Sequence, residues 1–260
     1  MSANVISRFP AYEKKEWKIY KESQKLFWVA DQIDIGDVAS DFTSATNEHR
    51  NFFRVCLISG AIDCVHFRSI SVDLMKDFKD LEAIYCLGYQ MMVDKNHHEF
   101  YARILHDTVQ QVQRRVLFNK VEQFASTGAK TTWSTLFSTP AWRIIGYTCT
   151  KVLADLISKE LKLQFQFAFH MYTITMQKPG RRAIRSVVDK AIEIEQTFCV
   201  ESKFCAVTSI ELSDMMSFIK YCGDSVYDVL QMEEPDALPP VLRWAESAVV
   251  SKREVQDPME

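Results

Sequence analysis

Asp94, His97 and Tyr101 stand at i, i+3 and i+7 of one glycine-poor stretch, Asp94-Lys95-Asn96-His97-His98-Glu99-Phe100-Tyr101. At helical pitch this spacing puts a carboxylate, an imidazole and a phenol on a single face. Carboxylate-x-x-His is the unit from which some helical bundles build two-iron centres, and a phenol one turn further on is placed to be oxidised by them. Metal chemistry beside a redox tyrosine is therefore the reaction these residue types point to. The bland alternative is a satisfied helix histidine among core aromatics, and the remaining ligands decide between the two.

Such a face needs long helices to carry it, and the composition supplies them. The 260 residues include only 7 Gly and 7 Pro, with 47% hydrophobic and 25% charged residues. These are globular values, and a mainly helical protein follows. A net charge of −3 gives no electrostatic reason to expect nucleic acid or an anionic membrane surface. The seven cysteines form no C-x-x-C pair, no secretory signal is visible, and no apolar run reaches the roughly 20 residues of a spanning helix. The expectation is a cytoplasmic protein with reduced thiols, binding neither nucleic acid nor membrane.

Hydrophobic periodicity predicts helices over 12–30, 47–71, 72–108, 112–127, 141–158, 159–177, 181–202 and 212–231. Lys178-Pro179-Gly180 punctuates the sequence, and Gly128 to Pro140 reads as a loop or irregular helix. Over 47–71 the apolar positions repeat at three and four, and Asp63 falls on or beside that face. An unpartnered carboxylate there costs several kcal/mol or takes up a proton. Pro235 and Pro239-Pro240 mark the end of the packed body. The predicted organisation is all-α, with about eight helices in one domain, 1–232, and a C-terminal extension, 233–260.

Several ordered segments resemble the small, radical-generating subunit of class I ribonucleotide reductase, across roughly residues 9–232. Phe9-Pro10 leading to Trp17-Lys18-Ile19-Tyr20-Lys21 is similar to the family's first helix. Leu26-Phe27-Trp28-Val29-Ala30-Asp31-Gln32-Ile33-Asp34 is similar to its F-W-x-x-E-E-[IV]-D segment. Asp63 lies 31 residues before Asp94, the family's separation between its first iron-binding Asp and its E-x-x-H glutamate. Ala191-Ile192-Glu193-Ile194-Glu195-Gln196-Thr197-Phe198 is close to a further family segment, with Lys178-Pro179 at the expected distance upstream.

The resemblance implies a ferritin-like bundle, iron as cofactor, a dimer and a large-subunit partner. It implies that Asp63, Asp94 and His97 occupy the first half of a di-iron site, with Asp94 where the family has Glu. Tyr101 falls on the position of the stable tyrosyl radical. Trp28 falls on the tryptophan that relays an electron through an acid and the ligating His, and Glu160 falls on that acid. The second half departs from the pattern. Counting back from Lys178-Pro179 puts the second E-x-x-H at Leu161-Lys162-Leu163-Gln164, and the remaining Glu at Thr127. Leu161, Gln164 and Thr127 thus replace three ligands; Glu122 and Glu160 are the nearest acids, out of register.

Asp63, Asp94 and His97 alone could hold one divalent ion, or none, but not readily two irons. With no metal, two acids in the core call for a cation, with Lys130 and Lys162 the candidates by position, or for a shared proton. No tyrosine follows Tyr227, and the sequence reads Val255-Gln256-Asp257-Pro258-Met259-Glu260 where the family has an apolar docking tail. The expected function is a homologue of the ribonucleoside-diphosphate reductase small subunit. It is linked to deoxyribonucleotide synthesis but not competent alone, and acts as an assembly partner in a homodimer or in a heterodimer with an intact small subunit. The alternatives are an active radical subunit with an unusual metal site and a repurposed scaffold.

Overall fold

A computed structural model describes residues 12–36, 38–125, 148–174, 178–201 and 210–232. Among them are eight α-helices: α1 (Lys15–Lys25), α2 (Val38–Ser44), α3 (Asn47–Asp77), α4 (Leu81–Thr108), α5 (Gln111–Ala125), α6 (Thr148–Ile174), α7 (Arg181–Glu201) and α8 (Leu212–Val229). A 3-10 turn, Ala30–Gln32, lies between α1 and α2. The described residues contain no strand, so the all-α expectation holds. No described helix is long and apolar enough to cross a membrane. The expected C-terminal extension, 233–260, and Thr127 and Lys130 lie outside the described residues.

Helix boundaries differ from the periodicity in four places. The first helix, expected over 12–30, spans only Lys15–Lys25, and Trp28 lies beyond its end. The break expected at 71–72 falls instead at 78–80, because nothing between Ser71 and Asp77 is a Gly or Pro that would stop a helix. The break expected at 158–159 is absent, and α6 runs unbroken through it for 27 residues. Residues 38–44, which the periodicity does not mark as a helix, form a short one of their own. At the start of α3, Thr46 caps the helix, its side-chain oxygen accepting from the His49 N–H. Asp80 precedes α4 but its carboxylate is taken by Lys14 Nζ at 3.0 Å.

The main core joins α3 and α4 to α6 and α8, through Phe53, Leu57 and Ile58, Phe100 and Ile104, Ile157 and Leu161, and Phe218. Each such side chain removed from water contributes about 1.5–3 kcal/mol. A second cluster (Ile19, Ala83, Cys86, Leu87, Phe167 and Met171) fastens α1 and α6 to the first half of α4. Ion pairs reinforce it, Lys14 to Glu82 at 3.1 Å and Glu16 to His170 at 3.2 Å. The buried face of α4 is broader than the apolar pattern suggests. Gln90 and Asn96 are buried in it, while Tyr85 and Gly88, which three-and-four spacing over 72–108 puts on that face, are exposed. Cys56, Cys86 and Cys199 are buried free thiols that pack as small hydrophobes.

One close approach sets where Tyr101 lies. A methyl group at Gly60 would sit 2.8 Å from Cε2 and 2.9 Å from Cζ of the Tyr101 ring. The absence of that methyl lets the α3 backbone press on the phenol, which is 1% exposed. Gly60→Ala is expected to lose about 1–3 kcal/mol by overpacking, against its better helix propensity. Gly88→Ala, facing only the flexible end of Met75 at 3.7 Å, is expected to gain up to about 1 kcal/mol. Urea unfolding of the two variants should give opposite signs.

Candidate metal centre

His97 is the centre of the buried polar cluster. Its Nε2 lies 2.6 Å from Glu160 Oε2, and its Nδ1 lies 3.8 Å from Asp94 Oδ1. The side chains of His97, Glu160 and Asp94 are 1%, 5% and 10% exposed. Asp94 and His97 share a face of α4 because they are three residues apart; Glu160 and Gln164 share a face of α6 because they are four apart. The two pairs meet in antiparallel order, Glu160 at His97 and Gln164 at Asp94.

Burial pushes the Asp94 carboxyl up to about 7 from an ordinary 3.8. His97 opposes the rise, the Glu160 charge adds to it, and the Gln164 amide opposes it weakly. Asp94 Oδ2 and Gln164 Nε2 nonetheless both lack a hydrogen-bond partner among the described residues. Lys162 is not among the groups acting on Asp94. An acid that stays largely protonated up to neutral pH, rather than an incoming cation, is how the described core tolerates this residue.

The other side chains singled out from the sequence divide clearly. Tyr101 lies one turn beyond His97 and packs edge-to-face on Phe100, ring centroids 6.2 Å apart. Trp28 stacks on the His97 ring, centroids 5.5 Å apart and planes 21° apart. Its indole Nε1 is buried without a hydrogen-bond partner, so Glu160 meets His97 but not Trp28. Of the indole–acid–imidazole relay implied by the resemblance, the acid–imidazole link is made and the indole–acid hydrogen bond is not. Leu161 is 7% exposed and belongs to the apolar core. Asp63 lies within α3, but its side chain is outside the described residues, as is that of Glu122.

Two residues beside this cluster are not marked by any motif in the sequence. Asn96 Nδ2 donates to the Trp28 carbonyl at 2.7 Å, and Asn96 Oδ1 accepts from the Ala30 N–H at 2.8 Å. Arg103 Nη1 donates to the Ala30 carbonyl and lies 3.4 Å from Asp31 Oδ1. A polar Asn at a buried position of a helix was the available signal, since such an amide requires partners.

An all-α bundle with a carboxylate-x-x-His unit facing a second long helix places the protein among the ferritin-like folds. The family described as "Ribonucleotide reductase, small chain" matches residues 5–145, more than half of the sequence, and the protein belongs to that family. The family's work is deoxyribonucleotide synthesis. Among curated relatives, one of the ribonucleoside-diphosphate reductase small subunits of Arabidopsis thaliana is 24% identical over 253 residues, covering 85% of this sequence and 76% of that one. The Rnr4 homodimer from Saccharomyces cerevisiae has a similar fold, with TM-score 0.75 at 15% identity, covering 89% of this protein and 84% of that one. The dimanganese(II)-NrdF of Streptococcus sanguinis gives TM-score 0.68 at 10% identity, covering 92% and 97%.

Among the described residues, the side chains do not make up a two-metal centre. Such a centre needs a second carboxylate-x-x-His unit opposite the first. Here the facing turn of α6 offers the Leu161 hydrocarbon and the Gln164 amide. Among the described residues, no three His, Cys, Asp or Glu side chains converge as a metal-binding group.

The raised Asp94 pKa fixes the sign of a pH effect. Between about pH 4 and 7 the unfolded protein releases the Asp94 proton while the folded protein keeps it. The folded state then binds more protons, so stability falls as pH rises through this window and levels off above it. Asp94→Asn should remove that slope and raise stability near neutral pH by about 1–3 kcal/mol. Urea unfolding across the window in the presence of chelator reads both effects.

Proposed function

We propose that this protein is a ribonucleotide reductase small-subunit homologue that does not generate a radical alone and serves as an assembly partner, pairing with an intact small subunit. The observation that carries the reading is that Gln164 faces Asp94, beside a buried Leu161, where a di-iron site requires further carboxylate and imidazole ligands. Asp63, Asp94 and His97 are in this reading an inherited half site, able at most to hold a single divalent ion. Tyr101, Trp28 and Glu160 are inherited positions of the radical and its electron path, retained because they pack and partner one another. Retention of the bundle with loss of half the ligands supports a subunit kept for its surface. A dimer, and through it the reductase large subunit, is the assembly it would enter.

Metal analysis with electron paramagnetic resonance after aerobic iron loading tests this, with Tyr101→Phe as control. Less than one equivalent of iron, no tyrosyl signal, and a stable complex with an intact small subunit are expected. Two equivalents of iron and a signal abolished by Tyr101→Phe would make the protein an active radical subunit. No metal, no radical and no reductase partner would leave a repurposed scaffold.

A further inference from the structure

Something must orient Trp28, and its own polar atom does not. The indole Nε1 has no hydrogen-bond partner, so neither Glu160 nor any other described acceptor fixes the ring's rotation about its stack. Trp28 also lies in an irregular stretch between α1 and the Ala30–Gln32 turn, where no helical ladder holds the backbone. Its neighbours on either side, Phe27 and Val29, are 47% and 37% exposed. Yet Trp28 itself is 5% exposed.

We propose that Asn96 is the positioning residue of Trp28, with Arg103 in support: its amide grips the backbone on both sides of Val29 and thereby holds the indole on His97. The geometry is specific to an amide of this length. One side chain satisfies a carbonyl at residue 28 and an N–H at residue 30, as a neighbouring strand would, at 2.7 and 2.8 Å. Asp would supply the acceptor without the donor, and Leu neither. Asn96 is the residue immediately before His97, so the grip and the ring it serves move as one rigid piece of α4. Seven residues, or two turns, further along the same helix, Arg103 holds the Ala30 carbonyl from the other side. The 5.5 Å stack is in consequence set by α4, independently of Glu160 and of whether any metal is bound.

The test uses the full-length protein labelled with 5-fluorotryptophan, which gives one fluorine resonance for each of the five Trp residues. Trp28→Phe assigns the Trp28 line, and the change in chemical shift between H2O and D2O reports its contact with water. In the unaltered protein the Trp28 line is single and insensitive to D2O. Asn96→Leu is expected to produce a second or shifted Trp28 line with the solvent sensitivity of an exposed indole, while the other four lines stay in place. Arg103→Ala, at a half-exposed side chain that is expected to tolerate truncation, should show the same new line at lower population. It decides the matter if Asn96→Leu fails to fold. Glu160→Gln should leave Trp28 single and water-excluded. A Trp28 line unchanged in the folded Asn96 and Arg103 variants overturns the proposal, as does equal exposure of Trp28 in Glu160→Gln.

Discussion

The contact between Glu160 and His97 is the constraint around which the rest of the described core is arranged. Both side chains are nearly inaccessible to water, and each is tolerable there only because the other is present. Removing one partner would strand a buried polar or charged group at a cost of about 3–5 kcal/mol, more than replacing both with hydrocarbon would. The contact therefore locks the register of α6 against α4. With Glu160 fixed at His97, the next turn of α6 must bring Gln164 to Asp94, and Leu161 must turn into the apolar core.

That register explains why, among the described residues, a recognisable ligand motif stands without a converging metal-binding group. A di-iron bundle places its two carboxylate-x-x-His units opposite each other, so charges on the ligands are neutralised by the metal between them. Here one unit faces an amide. The Asp94 carboxyl, buried and with no Lys or Arg among the groups acting on it, responds by holding its proton. The aromatic contacts beside it need no charge: Trp28 stacks on His97 and Tyr101 fits against Gly60, because those contacts depend on shape.

Much of this was legible without coordinates. Helical content followed from scarce Gly and Pro and from three-and-four periodicity, and the i, i+3, i+7 spacing placed Asp94, His97 and Tyr101 together. Counting from Lys178-Pro179 put Gln164 at a lost ligand position, and Gln164 is the α6 residue that faces Asp94. Boundaries were less legible. Periodicity marks which face is buried but not where a helix stops, so the break moved to 78–80 and α6 proved continuous. Tyr85 and Gly88 fit the buried pattern yet face water, because a helix packed by α1, α3 and α6 buries an arc that no single stripe describes.

The sequence by itself determined the helices and the family, since these depend on residue types and on distances between residues in order. Only the tertiary structure decided which buried groups satisfy one another. That Glu160 meets His97 but not the Trp28 indole, that Asn96 rather than an acid holds the Trp28 loop, and that Gly60 makes room for Tyr101 all depend on approaches between residues far apart in sequence. Hydrogen bonding and close packing act over a few ångströms in space, and linear spacing holds that information only within a single helix.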